Sequence, residues 1–158
     1  MMENEKFESG QYFTFRLGTE VYAIDIRKVK EVLEVLKITH VPQSADFKLG
    51  VINLRGTIVP IIDLHRKFNL PGYEETINSS IIIVQTVIDD ETVTIGSIVD
   101  EVEEVIRLEP KRIDDTLKLG SQLKANYISS IGKKGDDFII ILDVENIFSR
   151  EELLEIEQ

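Results

Sequence analysis

The sequence predicts a mainly β protein made of two small five-stranded β-barrels packed together, with short helices between strands and a helix at the C-terminus. Three observations lead there. Apolar runs of strand length, rich in valine and isoleucine, alternate with turn residues along the 158-residue chain. The stretch 49–64, LGVINLRGTIVPIIDL, reads as one hairpin, because the runs 51–54 and 58–62 are separated only by Arg55, Gly56 and Thr57. The chain is also similar to itself, at offsets of 73 and 80 residues.

Taken in order, residues 12–17 alternate apolar with polar, Gly18, Thr19 and Glu20 turn the chain, and Tyr22, Ile24 and Ile26 alternate again. This predicts a hairpin with one buried face. Val29, Val32, Leu33 and Leu36 fall at helical spacing, yet their β-branched members favour a strand, so a helical turn running into a strand is expected. Ser44 is placed to cap a short helix through Leu49, with Gly50 as its stop. In the central hairpin Gly56 supplies the positive φ that a tight turn requires, which holds Arg55 out at the tip on a rigid support. Asp63 is an N-cap for one or two helical turns over LHRKF, followed by a loop through Ser80. Residues 81–88 and 92–99 form a second hairpin around Asp89, Asp90 and Glu91. The acidic run Asp100, Glu101, Glu103 and Glu104 reads as a solvated face with Val102 and Val105 turned inward. Ser149 and Glu152 make a capping box for a helix over 149–158.

The repeat explains how two modest halves, about 12–70 and 81–148, are stable together. An offset of 73 lays Val29, Glu31 and Val32 over Val102, Glu104 and Val105; an offset of 80 lays IVPIIDLHRKF over FIIILDVENIF, with Ile61, Asp63 and Phe68 over Ile141, Asp143 and Phe148. Each copy holds about five short strands, enough to close a small barrel, and two barrels bury a shared seam. Strand exchange between the barrels is compatible with this pattern. The second copy carries Gly132, Lys133, Lys134 and Gly135 where the first has the Arg55 turn, so one partner-facing tip is expected.

Composition narrows the chemistry. A 42% hydrophobic content suits a soluble globular protein, no apolar run approaches the roughly 20 residues of a membrane span, and the polar N-terminus lacks the apolar core of a signal peptide, so a cytoplasmic location is expected. Zero cysteine removes thiol chemistry and thiolate metal sites, and only His40 and His65 offer imidazole; no metal or cofactor is expected. A net charge of −11 repels phosphate backbones, which disfavours an oligonucleotide-binding barrel. Asp63 and Asp143 are a repeat-related carboxylate pair and invite a catalytic reading, but both sit where a helix N-cap belongs, and no nucleophile elbow or phosphate-binding loop accompanies them. No enzymatic activity is expected. His40 and His65 read as surface or satisfied structural residues.

The order F-x-L-(x)4-YAIDI, V-x-EV, ITHVP, LGVINLRGTIVPIIDL and IGSIVDEVEEVI, running from about residue 12 to about residue 148, closely resembles the CheW family of bacterial chemotaxis coupling proteins. NLRG followed by IVPIIDL is its most specific part. No stretch resembles the phosphotransfer, dimerisation or ATPase regions of the kinase CheA or the receiver domain of CheV, so a stand-alone adaptor is expected. The resemblance implies two SH3-like barrels and a scaffold that links methyl-accepting chemotaxis receptors to the regulatory domain of the histidine kinase CheA, in membrane-attached arrays and without catalysis. Carried over by motif, it implies receptor contacts at Val29, Arg55, Gly56, Ile81 and Val105, and kinase contacts at Glu31, Val32 and Ile38. One Arg among small apolar groups suits the docking of a partner helix tip, with aliphatic burial giving affinity and the guanidinium fork giving register.

Overall fold

Residues 80–88 show how the pattern becomes architecture. Side chains alternate along a strand, so Ile81 and Ile83 point to one side and Ile82 and Val84 to the other, and all four are buried. A strand apolar on both faces needs cover on both. In the computed structural model, which describes residues 10–42, 46–115 and 127–147, that cover comes from a barrel interior on one side and from the other barrel on the other side.

The described strands are β1 (Gln11–Leu17), β2 (Glu20–Asp25), β3 (Val29–Glu34), β4 (Lys48–Leu54), β5 (Thr57–Asp63), β6 (Ser80–Ile88), β7 (Glu91–Val99), β8 (Glu101–Arg107), β9 (Ile113–Asp115), β10 (Ile128–Lys134) and β11 (Asp137–Leu142). Two single-turn helices, α1 (Leu64–Lys67) and α2 (Val144–Ile147), follow β5 and β11. One sheet has the order β8-β1-β2-β11-β10-β9 and the other β3-β6-β7-β5-β4. Neither sheet comes from one half of the sequence. Each takes the opening hairpin of one half and the later strands of the other, so the halves are interlocked rather than merely packed. The parallel contacts carry the repeat into space: Ile61 lies beside Gly96 on β7, and Ile141 lies beside Ala23 on β2, related by the offsets of 80 and 73.

Three apolar clusters fill this frame. Ile52, Leu54, Val59, Ile61, Ile81, Ile83 and Ile98 fill the β3–β7 barrel. Ala23, Ile106, Leu108, Ile139 and Ile141 fill the other. The largest, including Phe13, Phe15, Leu17, Tyr22, Ile24, Ile62, Ile82, Val84 and Ile147, lies in the seam. Burial in the seam is the main force holding the barrels together, at about 25 cal/mol for each Å² of apolar surface removed from water.

Four expectations need correction. The helix ending at Gly50 is not formed, because Lys48 already opens β4; Ser44, its expected cap, lies outside the described residues. Gly50 has a different task. Thr39 and Val51 exchange two backbone hydrogen bonds of 2.8 and 2.9 Å, and a Cβ on Gly50 would fall 2.1 Å from the Thr39 carbonyl oxygen. Ile38, placed on a strand by its sequence, sits beside this isolated bridge and packs half-buried into the β3–β7 barrel. Val105 is 49% exposed rather than turned inward, since a bulge between Phe13 and Phe15 shifts the register of β8 against β1. The fourth is Ile81, which is fully buried inside the β3–β7 barrel and therefore cannot meet a partner. The expected 149–158 helix lies outside the described residues.

Candidate functional site

The β4–β5 turn is short because both its central residues adopt positive φ, 51° at Arg55 and 88° at Gly56, the handedness that matches the twist of a two-residue hairpin. Glycine adopts it freely. An arginine does so at a cost. The turn is held in place by Asn53, whose side-chain oxygen accepts from the Gly56 N–H at 2.7 Å.

Closing the barrel brings the sheet's outer strands β3 and β4 together, and Arg55 reaches across the gap. Both of its terminal nitrogens donate to the Glu31 carboxylate on β3, Nη1 to Oε1 at 3.3 Å and Nη2 to Oε2. The hydrogen bond from Arg55 holds the Glu31 carboxyl below its usual range, against its partial removal from water, and raises Arg55 in turn. The Arg55 side chain remains 67% exposed, so most of its donor surface still faces solvent. Val32, next to Glu31 in β3 but on the opposite face of the strand, is 40% exposed, and Ile58, the second residue of β5, is 72% exposed. A positioned fork of donors, with exposed apolar residues on the strands it links, can bind a protein surface.

The structure thus joins Arg55 and Gly56, read as receptor contacts, to Glu31 and Val32, read as kinase contacts. Val29 is half-buried where β3 leaves the seam and pairs with Val84, and Val105 lies on β8 in the other sheet. The corresponding hairpin of the second copy, expected to lack a partner-facing tip, carries a comparable ion pair. Lys134, at the end of β10, donates to Glu104 at 2.6 Å, and Glu104 is the repeat partner of Glu31. Beside it Val105 and Phe138 are exposed, the repeat partners of Val32 and Ile58. Ile58 and Phe138 escaped the sequence reading, although the offset of 80 had already aligned them.

The carboxylates that invited a catalytic reading have structural work. Asp63 Oδ1 accepts from the amides of His65 at 2.9 Å and Arg66 at 3.4 Å. Asp143 accepts from the Glu145 amide at 3.1 Å and from the Asn146 side chain at 2.6 Å. His65 is a buried, satisfied structural residue. Among the described residues, no three acidic or histidine side chains are grouped to hold a metal, and no helix is long and apolar enough to cross a membrane.

Two interlocked small barrels that offer ion-paired, apolar-flanked edges define a class of protein-binding scaffold. The CheW-like domain family matches residues 11–152, and the chain belongs to that family. It is a scaffold of bacterial chemotaxis signalling. The chemotaxis protein CheW of Klebsiella aerogenes is 35% identical over 90% of this chain and 84% of its own length. That of Treponema pallidum is 32% identical over 92% and 86%. The crystal structure of the scaffolding protein TtCheW from Thermoanaerobacter tengcongensis superposes with a TM-score of 0.78 at 33% identity, covering 90% of this chain and 94% of that one. These likenesses do not favour a nucleic-acid-binding barrel.

Proposed function

We propose that the protein couples methyl-accepting chemotaxis receptors to the regulatory domain of the histidine kinase CheA, working in the cytoplasm within membrane-attached receptor arrays and catalysing nothing itself. The observation that carries this reading is the strained, exposed Arg55 held by Glu31, on a hairpin and a neighbouring strand that also expose Ile58 and Val32. Receptor contact is assigned to Arg55 and Gly56, with Val29 and Val105, and kinase contact to Glu31, Val32 and Ile38. Because Arg55 and Glu31 share hydrogen bonds, the two contacts adjoin at one ion pair, and a change at either charge is felt at both. Glu31→Lys would set two cations against each other and weaken both contacts, the kinase more strongly. Co-sedimentation of the purified protein with receptor-containing membranes, with and without CheA, tests the reading. Failure to sediment with receptors, or sedimentation that leaves CheA behind, would overturn it.

A further inference from the structure

Ile77 is the most exposed large apolar residue among those described, at 98%, and it stands on a turn that is held by hydrogen bonds. The Thr76 hydroxyl accepts from the Asn78 amide at 3.1 Å, the Ser79 hydroxyl accepts from the Thr76 amide at 2.8 Å, and the Ser79 amide donates to the Thr76 carbonyl at 3.1 Å. The turn closes around Ile77 without using its side chain, so a polar residue would serve the turn equally well. The loop behind it, residues 69–79, is fixed at its root. The Leu70 amide donates to the His65 carbonyl at 2.7 Å, and the Tyr73 ring packs on the apolar cluster that fills the β3–β7 barrel.

This turn lies beside the edge assigned above to the kinase. Glu34 of β3 pairs with Ser80 of β6, so β3 ends where the loop enters β6. The alternation of β3 continues past that point: Leu33 and Val35 pack against the barrel cluster, while Val32, Glu34 and Leu36 are turned outward. Ile38 and Tyr73 pack on that same cluster. The 32–38 segment and the 73–79 stretch thus cover one end of one barrel, and between them they expose Val32, Leu36 and Ile77. Apolar residues scattered singly are ordinary on a protein surface; three at one end of one barrel mark a contact. The exposed charges flanking Ile77 are acidic, Glu74 and Glu75 on the loop and Glu34 on β3.

We propose that Ile77, with Leu36, is a further contact for the regulatory domain of the histidine kinase, entering an apolar pocket rimmed by lysine or arginine. The inference rests on the kinase contact proposed above and adds to it a knob that is already in place before the partner arrives. A preformed knob loses little conformational freedom on binding, and burying an isoleucine side chain that is wholly exposed in the free protein strengthens the complex by about tenfold or more. Glu74 and Glu75 act chiefly on the rate of association, by attracting the basic rim.

Calorimetric titration of the full chain with intact CheA tests the proposal, with receptor co-sedimentation as the control. Ile77→Ser should lower the affinity for CheA about tenfold and leave receptor co-sedimentation at the parental level. Its melting temperature should stay within about 1 °C of the parent, because the side chain is buried against nothing. Ile77→Leu should keep the parental affinity, and Leu36→Ser should weaken CheA binding in the same direction. Glu74→Lys combined with Glu75→Lys should slow association and reduce its dependence on salt. A parent that does not bind CheA would overturn the kinase reading itself. If the parent binds and Ile77→Ser binds equally well, or weakens receptor sedimentation instead, the kinase reading stands and the Ile77 contact is overturned. A weaker Ile77→Ser variant that also melts several degrees lower would likewise overturn it, since Ile77 would then be structural.

Discussion

Replacing Arg55 by Asn should make the protein more stable and less able to couple, a combination that only a functional arginine produces. The φ of 51° at Arg55 is one that Asn tolerates and most side chains resist, and Asn followed by Gly is the preferred pair for this turn. What is lost in exchange is an ion pair whose arginine is 67% exposed, and exposed pairs contribute little to stability. No cavity opens, because Arg55 packs into no apolar cluster. Relief of strain therefore wins, and the melting temperature should rise by about 2 to 4 °C. Arg55→Ala keeps the strain and loses the pair, so its melt should stay within about 2 °C of the parent. Binding runs the other way: partner acceptors left without the guanidinium should cost both variants at least about tenfold in receptor affinity. Thermal melts compared with receptor co-sedimentation and receptor-dependent kinase activation read both quantities. A melt several degrees below the parent, or coupling at parental strength, would refute the reasoning.

Gly50→Ala would set a methyl group 2.1 Å from the Thr39 carbonyl oxygen, with backbone rather than a movable side chain in the way, so a loss of about 2 kcal/mol or more is expected in denaturant titrations; parental stability would show that the Thr39–Val51 bridge is dispensable. Thr14 fills the bulge in the β1–β8 pair, its hydroxyl donating to the Glu104 carbonyl at 2.6 Å and accepting from the Glu104 amide at 3.0 Å. Thr14→Val should cost roughly 1 to 3 kcal/mol by leaving those groups unpaired, and an unchanged denaturation midpoint would mean that water replaces the hydroxyl. At Asp25, burial pushes the carboxyl up, but hydrogen bonds from the Arg27 side chain and amide outweigh it and hold it below the ordinary range. A depressed folded value means stability that is present above the ordinary carboxylate range and lost as pH falls through the folded value. Asp25→Asn should therefore melt lower than the parent near neutrality and match it in acid; a gap that persists to about pH 2 would contradict the assignment.

How much of this was legible beforehand depends on the range over which each signal acts. Asp63 and Asp143 were readable as caps because a cap bonds amides two or three residues away. The Arg55 tip was readable from the two apolar runs flanking Arg55, Gly56 and Thr57, although the positive φ was assigned to Gly56 alone and Arg55 shares it. Ile81 was misplaced because its receptor role was carried over by motif, against the residue pattern itself, which has Ile81 to Val84 as a run apolar on both faces and therefore buried. Val105 was misplaced because β8 bulges at Glu103 and Glu104, two residues opposite the single Thr14 of β1, and the alternation of the β8 sequence does not show where such an extra residue falls.

By itself the sequence determined the local pieces of this protein: the hairpins, the caps, the exposed tip, the duplication and, through its motifs, the family. All of these follow from alternation at period two, from turn chemistry over adjacent residues, or from comparison of one stretch with another. Only the tertiary structure decided which hairpin joins which sheet, and so which distant side chains become neighbours. Arg55 meets Glu31 and Lys134 meets Glu104 because each sheet closes on itself, and His65 meets Asp100 because the chain crosses between the sheets after β7. Either partition of hairpins between the sheets would satisfy the same alternation, and the choice between them rests on side-chain packing in the seam and in the two barrel interiors, where apolar contacts carry no signature in the order of residues.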